Sequence, residues 1–80
     1  MAAFTARWLQ IADEYYADLP ADLQLQIDAR VAELLEDPYG SEDAYDPATD
    51  QWITSYGGGT GLIVYAIAPA PRRVLILRLV

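Results

Sequence analysis

Apolar residues recur at intervals of three and four along residues 20–36, PADLQLQIDARVAELLE. The residues of this stripe are Leu23, Ile27, Val31, Leu34 and Leu35. Such spacing puts them on one face of an amphipathic helix. Pro20 suits a first helical turn, where its missing N–H costs nothing, and Asp37 before Pro38 is a natural end. The pattern therefore predicts a helix over residues 20–36.

The pattern before this helix admits two interpretations. Four residues have the helical spacing that would make one long helix: Phe4, Trp8, Ile11 and Tyr15. Residues 5–11 could equally form a short first strand, followed by a helix from about Ala12 to Asp18, and periodicity alone does not separate the two. In either case we expect residues 12–18 and 20–36 to form an antiparallel helical hairpin.

The second half of the chain has the residue pattern of β-strands. Residues 37–50 are predicted to be a loop, since they combine Pro, Gly, Ser and Asp without periodicity. Three short runs rich in β-branched and aromatic residues then alternate with turn residues, at 51–56, 62–67 and 73–80. This order predicts an α+β fold, a single domain over residues 1–80 in which the helices cover one face of a three-stranded antiparallel meander.

Alternation in the last run assigns its residues to the two faces of the sheet. Leu75, Leu77 and Leu79 share one face, and Val74, Ile76 and Arg78 share the other. We expect the leucine face to pack on the helices. Arg78 would then lie on the open face of the sheet, and the final strand is a candidate edge for strand addition.

Composition excludes several kinds of chemistry. The chain has 80 residues, 54% of them hydrophobic, which is typical of one small folded unit. It has no Cys and no His, and therefore no thiolate nucleophile, no imidazole base and no common metal ligand of either type. We expect no catalytic residue, no metal site and no cofactor.

Charge is unevenly distributed along the chain. The net charge is −7, and all 12 acidic residues lie between Asp13 and Asp50, where Arg30 is the only base. An acidic balance argues against direct binding of nucleic acid. From Gln51 onward the only charged side chains are arginines. The first two thirds of the chain are therefore acidic and the last third is weakly basic.

No targeting segment is expected from the pattern of this sequence. The N-terminal residues lack a basic start and a continuous apolar stretch. The apolar region 62–80 is interrupted by Pro69, Pro71 and two arginines, so it is not a spanning helix of about 20 apolar residues. We expect a soluble cytoplasmic protein.

The late arginines and two aromatic residues are the candidate binding residues. Arg72, Arg73 and Arg78 could hold a phosphate group or an acidic partner, or only keep an exposed sheet soluble. Trp52 and Tyr56 share a strand face and suit an interface, although core packing is the commoner role of such residues. With the leucines inward, Trp52, Tyr56, Ile76 and Arg78 would lie on one mixed surface.

The glycine run and the acidic residues are predicted to have structural roles and not to form binding sites. The run Gly57-Gly58-Gly59-Thr60-Gly61 lacks the Lys and the following helix of a phosphate-binding loop, so it is predicted to be a turn. Acidic residues occur on the first helix, at Asp13 and Glu14, and in the loop, at Glu42, Asp43 and Asp46. Their spacing does not match a calcium loop, and they are expected to be solvated.

The order of motifs resembles the RelE/ParE toxin superfamily. The resemblance rests on residues 19–20, 26–27 and 34–38, GLIVY at 61–65 and VLILRL at 74–79. It implies a first strand and two helices before the meander, which favours the strand interpretation near residues 4–10. It also implies a type II toxin–antitoxin protein with a small antitoxin as its partner.

The departures from the family decide which activity is expected. Members that cleave messenger RNA carry an Arg where this chain has Leu62, and Arg78 alone falls on a position where the family commonly has a base. We therefore expect a protein that acts by binding an antitoxin, a second copy or a gyrase-like target, without nuclease activity. The alternatives are a ribosome-dependent endoribonuclease with an atypical site, or a degenerate member kept as a dimerisation or regulatory module.

Overall fold

A computed structural model describes residues 3–40 and 44–80. The elements in chain order are β1 (Thr5–Trp8), α1 (Gln10–Ala17), α2 (Ala21–Glu36), β2 (Ala44–Asp46), β3 (Gln51–Tyr56), β4 (Gly61–Ala68) and β5 (Arg73–Leu79). The strands form one sheet in the order β1-β5-β4-β3-β2. The helical hairpin covers one face of this sheet, and Ile27, Val31 and Leu34 of α2 are buried against it. The predicted α+β fold is confirmed.

The first strand exists, and the interpretation of residues 4–19 as one long helix is wrong. Strand β1 pairs with β5 in parallel, with Ala6 opposite Val74. Ala6 and Trp8 pack against the core, whereas Thr5 and Arg7 are exposed, so burial alternates as it does in a strand. Two parallel neighbours need a long crossover, and the helices and the other strands supply it.

The predicted loop over residues 37–50 contains a short strand that the sequence did not indicate. All three residues of β2 are exposed, and Tyr45 lies opposite Trp52 of β3. A strand with no buried residue leaves no alternation in the sequence. Glu42 and Asp43 of the acidic loop lie outside the described residues.

A β-bulge in β5 overturns the predicted faces of that strand. Tyr65 of β4 pairs with Ile76 and Val64 pairs with Arg78, which leaves Leu77 as an extra residue. Before Leu77 the even-numbered residues of β5 face the helices, and after it the odd-numbered Leu79 does. The residues of β5 that face the helices are Val74, Ile76 and Leu79, and all three are buried.

The expectation that Leu75 and Leu77 pack on the helices is therefore wrong, and Leu79 alone fulfils it. Arg78 is exposed and lies on the open face, as predicted. Strand β5 lies between β1 and β4, so it is not an edge. The prediction that it offers an edge for strand addition is wrong, because β1 already pairs with it.

The glycine run is a turn, as predicted. Gly57, Gly58 and Gly59 adopt φ of +61°, +68° and +101°, a region that other residues rarely enter. The turn joins β3 to β4 and brings Gly61 opposite Tyr56.

Replacing Gly61 with alanine is expected to lower the free energy of unfolding by about 1–3 kcal/mol, the usual cost of overpacking. A Cβ at Gly61 would lie 2.5–2.7 Å from atoms of the Tyr56 side chain, which is only 4% exposed. Urea denaturation measures the change. The matched control is Gly40→Ala, whose Cβ would meet its nearest atom at 3.7 Å and should change stability by less than about 0.5 kcal/mol. Equal losses in both variants would contradict the assigned contact.

Candidate functional site

The sheet has an open face, turned away from the helices. Strand register assigns to it Arg7, Ile53, Leu62, Val64, Arg73, Leu75 and Arg78. Arg7 lies opposite Leu75, and Val64 lies opposite both Ile53 and Arg78. The three middle strands thus present a continuous apolar strip with arginines along it.

The centre of the open face is apolar. Val64 is only 3% exposed, because it lies between the side chains of its two cross-strand neighbours. Leu62 is 40% exposed and Ile53 is 36% exposed, although both are large apolar residues. None of the described helices lies on this side of the sheet. A contiguous exposed apolar patch is typical of an interaction surface.

Arginines from two strands lie on the same face. Arg7 belongs to β1, and Arg73 and Arg78 belong to β5. The one ion pair among the described residues joins Arg30 to Glu33, so Arg7, Arg73 and Arg78 have no carboxylate within bonding distance there. These guanidinium groups are available to an acidic partner.

Arg7 lies on this face although it was not among the arginines predicted from the sequence as binding residues. Arg7 is exposed, whereas its neighbours Ala6 and Trp8 are half-buried, as expected in a strand with one face on the core. The alternation of apolar and polar residues at positions 6–8 is the sequence signal that could have identified it. Its place beside Leu75 follows from the parallel pairing of β1 with β5, which joins residues far apart in the sequence.

The three predicted arginines do not form one compact patch. Arg73 and Arg78 lie near opposite ends of β5, roughly 16 Å apart at the usual rise of a strand. Arg72 is exposed in the preceding turn with φ of 70°, and its carbonyl accepts a hydrogen bond of 3.1 Å from the Thr5 N–H. Arg72 therefore fixes the start of the β1–β5 pairing through its backbone.

Trp52 and Tyr56 share a strand face, as predicted, but it is the helix side. Tyr56 is 4% exposed. The ring of Trp52 lies 4.7 Å from that of Tyr45, 6.0 Å from that of Tyr39 and 6.3 Å from that of Tyr65, between ring centroids. The expected mixed surface of Trp52, Tyr56, Ile76 and Arg78 is wrong, because the bulge at Leu77 puts Ile76 and Arg78 on opposite faces.

Tyr65 ties this aromatic group to the segment after α2. Its side chain is fully buried, and its hydroxyl donates a hydrogen bond of 3.0 Å to the Pro38 carbonyl. The aromatic residues on this side of the sheet thus stabilise the packing of residues 37–40 on β3 and β4.

The acidic and basic residues of the chain lie on different faces of the folded protein. The acidic residues of the two helices are Asp13, Glu14, Asp22, Asp28, Glu33 and Glu36, and all are exposed. Three of the five arginines lie on the open face. The helical layer is acidic and the open face is basic, so each attracts a partner of different charge.

The open face offers little for acid–base chemistry. Tyr45, Tyr56 and Tyr65, the tyrosines of the strands, belong to the helix side. The carboxylate of Asp46, at the far edge, already accepts hydrogen bonds from the Ala48 N–H and the Thr49 hydroxyl. Within residues 3–40 and 44–80, no group of three or more acidic residues could hold a metal ion.

Comparisons with known proteins give no family model that matches and no curated protein that matches. Solved structures do match. The RelBE toxin–antitoxin complex of E. coli contains a chain that superposes with a TM-score of 0.85 at 16% identity, covering 96% of this chain and 94% of that one. The isolated E. coli RelE toxin superposes with a TM-score of 0.84 at 16% identity, covering 96% of this chain and 82% of that one. A chain of a RelBE complex of Mycobacterium tuberculosis superposes with a TM-score of 0.79 at 19% identity, covering 96% of this chain and 95% of that one.

This protein has the fold of the RelE toxins. The predicted resemblance is confirmed at the level of the fold, over nearly the whole chain. Among the residues described, no helix of this RelE-like fold is long and apolar enough to cross a membrane.

Proposed function

We propose that the protein is the toxin-fold component of a type II toxin–antitoxin module and acts by binding a small antitoxin-type protein. Two of the matched structures are toxin–antitoxin complexes, which supports a partner of this kind. The observation that carries the proposal is the open face, an apolar strip that no described helix covers, flanked by arginines that have no acidic partner among the described residues.

The chemistry of the open face specifies what the partner must present. Ile53, Leu62 and Leu75 require apolar side chains opposite them. Arg7 and Arg78 require carboxylates, since a guanidinium buried without a partner is strongly unfavourable. The occupant is therefore an amphipathic segment that carries both leucine-like and acidic residues.

The test is to express this chain together with the product of the adjacent reading frame as the candidate partner. We expect the two proteins to co-purify as a stable complex and to bind in titration calorimetry, with an affinity that falls as salt rises. No binding by calorimetry would contradict the proposal. A homodimer of this chain alone, seen by light scattering, would instead favour a dimerisation module.

A messenger-RNA endoribonuclease is the second candidate, and the arginines of the open face are the observation that favours it. Guanidinium groups can contact phosphates and stabilise a transition state. Cleavage also needs a general base for the attacking hydroxyl. Leu62 replaces a family arginine, and no described residue of the open face other than the engaged Asp46 is a candidate base.

We expect the purified protein to leave messenger RNA intact, both alone and with translating ribosomes. Primer extension on a defined message measures cleavage, with Arg78→Ala as the matched variant. Codon-specific cleavage that disappears in Arg78→Ala would overturn the binding-only proposal and establish the nuclease. Cleavage that persists unchanged in Arg78→Ala would indicate a contaminating ribonuclease.

A further inference from the structure

A cleft separate from the open face lies on the helix side of the sheet. It is a cleft of about 330 Å³ lined by Trp8, Asp13, Tyr16 and Asp28. Trp8 comes from the end of β1, Asp13 and Tyr16 from one face of α1, and Asp28 from α2. None of these residues belongs to the open face, so the cleft is a separate surface.

Two aromatic rings form one corner of the cleft. The ring centroids of Trp8 and Tyr16 lie 5.2 Å apart, and their planes meet at 64°. Both side chains are half-buried, so their positions are fixed by packing while part of each ring stays accessible. The face of an indole or phenol attracts a cation held within about 6 Å of its centre.

Two carboxylates complete the cleft. The Tyr16 hydroxyl donates a hydrogen bond of 2.7 Å to Oδ1 of Asp28, which orients that carboxylate and leaves Oδ2 without a partner among the described residues. The side chain of Asp13 is exposed and makes no hydrogen bond or ion pair within residues 3–40 and 44–80. The cleft therefore combines aromatic surface with two negative charges.

The protein's own arginines do not neutralise this charge. Arg30 follows Asp28 on α2 but is directed to β3, where its Nε and Nη2 donate to the Thr54 hydroxyl at 3.1 and 2.7 Å. Arg7 precedes Trp8 but lies on the open face. Neither arginine lines the cleft, and among the described residues no cation pairs with its two carboxylates.

We infer that the cleft is a receptor for an arginine side chain presented by a polypeptide partner. A planar guanidinium can stack on the Trp8 indole and donate to Asp13 and Asp28 at once. Within residues 3–40 and 44–80 no group of three or more acidic residues is placed to hold a metal ion, and the cleft itself offers two carboxylates. The surrounding helical layer is acidic, so it complements a basic segment around that arginine.

The site is tested on the full chain with a small probe, so the outcome is independent of the proposed antitoxin. In a ¹H–¹⁵N NMR titration with N-acetyl-L-arginine amide, we expect the indole N–H signal of Trp8 to shift in a saturable manner. The other tryptophan, Trp52, packs among tyrosines elsewhere, and its signal should stay in place. The neutral isostere N-acetyl-L-citrulline amide should leave both signals unchanged.

A pair of charge-neutralising variants locates the binding. Asp13→Asn should weaken the affinity for the arginine probe by about fivefold, the upper end for an exposed charge pair. Glu14→Gln removes the same charge from the next residue of α1, outside the cleft, and should change the affinity less than twofold. Equal weakening by both variants, an unchanged affinity in Asp13→Asn, or equal shifts with the citrulline probe would overturn the inference.

Discussion

Replacing Arg78 with glutamate should weaken binding of the small partner by about 2–5 kcal/mol, the usual cost of breaking a charge pair that the interface buries. Arg78 is exposed in the free protein and has no carboxylate partner among the described residues. The free energy of unfolding should therefore change by less than about 0.5 kcal/mol. Titration calorimetry and a melting curve on the same variant measure the two quantities.

The matched control for this variant is Arg72→Glu. It makes the same charge reversal in the exposed turn before β5, outside the face assigned to the partner. We expect its affinity to fall much less than that of Arg78→Glu. An unchanged affinity in Arg78→Glu together with a collapsed melting temperature would place Arg78 in the core and contradict the assigned face.

Replacing Ile76 with alanine should lower the free energy of unfolding by about 2–5 kcal/mol, because it removes a fully buried side chain and leaves a cavity. For a chain of this length that is a large share of a total stability of roughly 4–12 kcal/mol. Leu75→Ala, one residue earlier on the open face, should cost distinctly less, since Leu75 is only half-buried. Urea denaturation of both variants measures the difference.

The comparison of these two variants tests which residues of β5 before the bulge face the helices. Simple alternation with the leucines inward predicts the reverse order, with Leu75→Ala the more damaging variant. A larger loss for Leu75→Ala than for Ile76→Ala would therefore contradict the pairing of Tyr65 with Ile76.

The sequence predicted the elements whose pattern is local. Helix α2 was predicted from apolar spacing of three and four, and the meander from short apolar runs between turns. The pairing of β1 with β5 was not predictable from the residues alone, since parallel pairing depends on contacts between distant parts of the chain. The resemblance to known toxins was what favoured the first strand.

The faces of β5 could not be read from its sequence, because VLILRLV is apolar at almost every position. Without polar residues to mark one side, nothing local reveals an extra residue in the strand. For the same reason Arg78 was placed on the open face by an alternation that the bulge in fact interrupts. Arg7 and the cleft residues Asp13 and Asp28 were missed because only the fold brings them to their neighbours.

Methyl NMR spectra of the protein, free and bound to its small partner, test the central proposal most directly. The methyl groups of Leu62, Val64 and Leu75 report on the open face, and those of Ile27 and Val31 report on the core beneath the helices. We predict large shifts for the first set on binding and small shifts for the second. Unchanged signals from the open face, in a complex that calorimetry shows to be formed, would contradict the proposal.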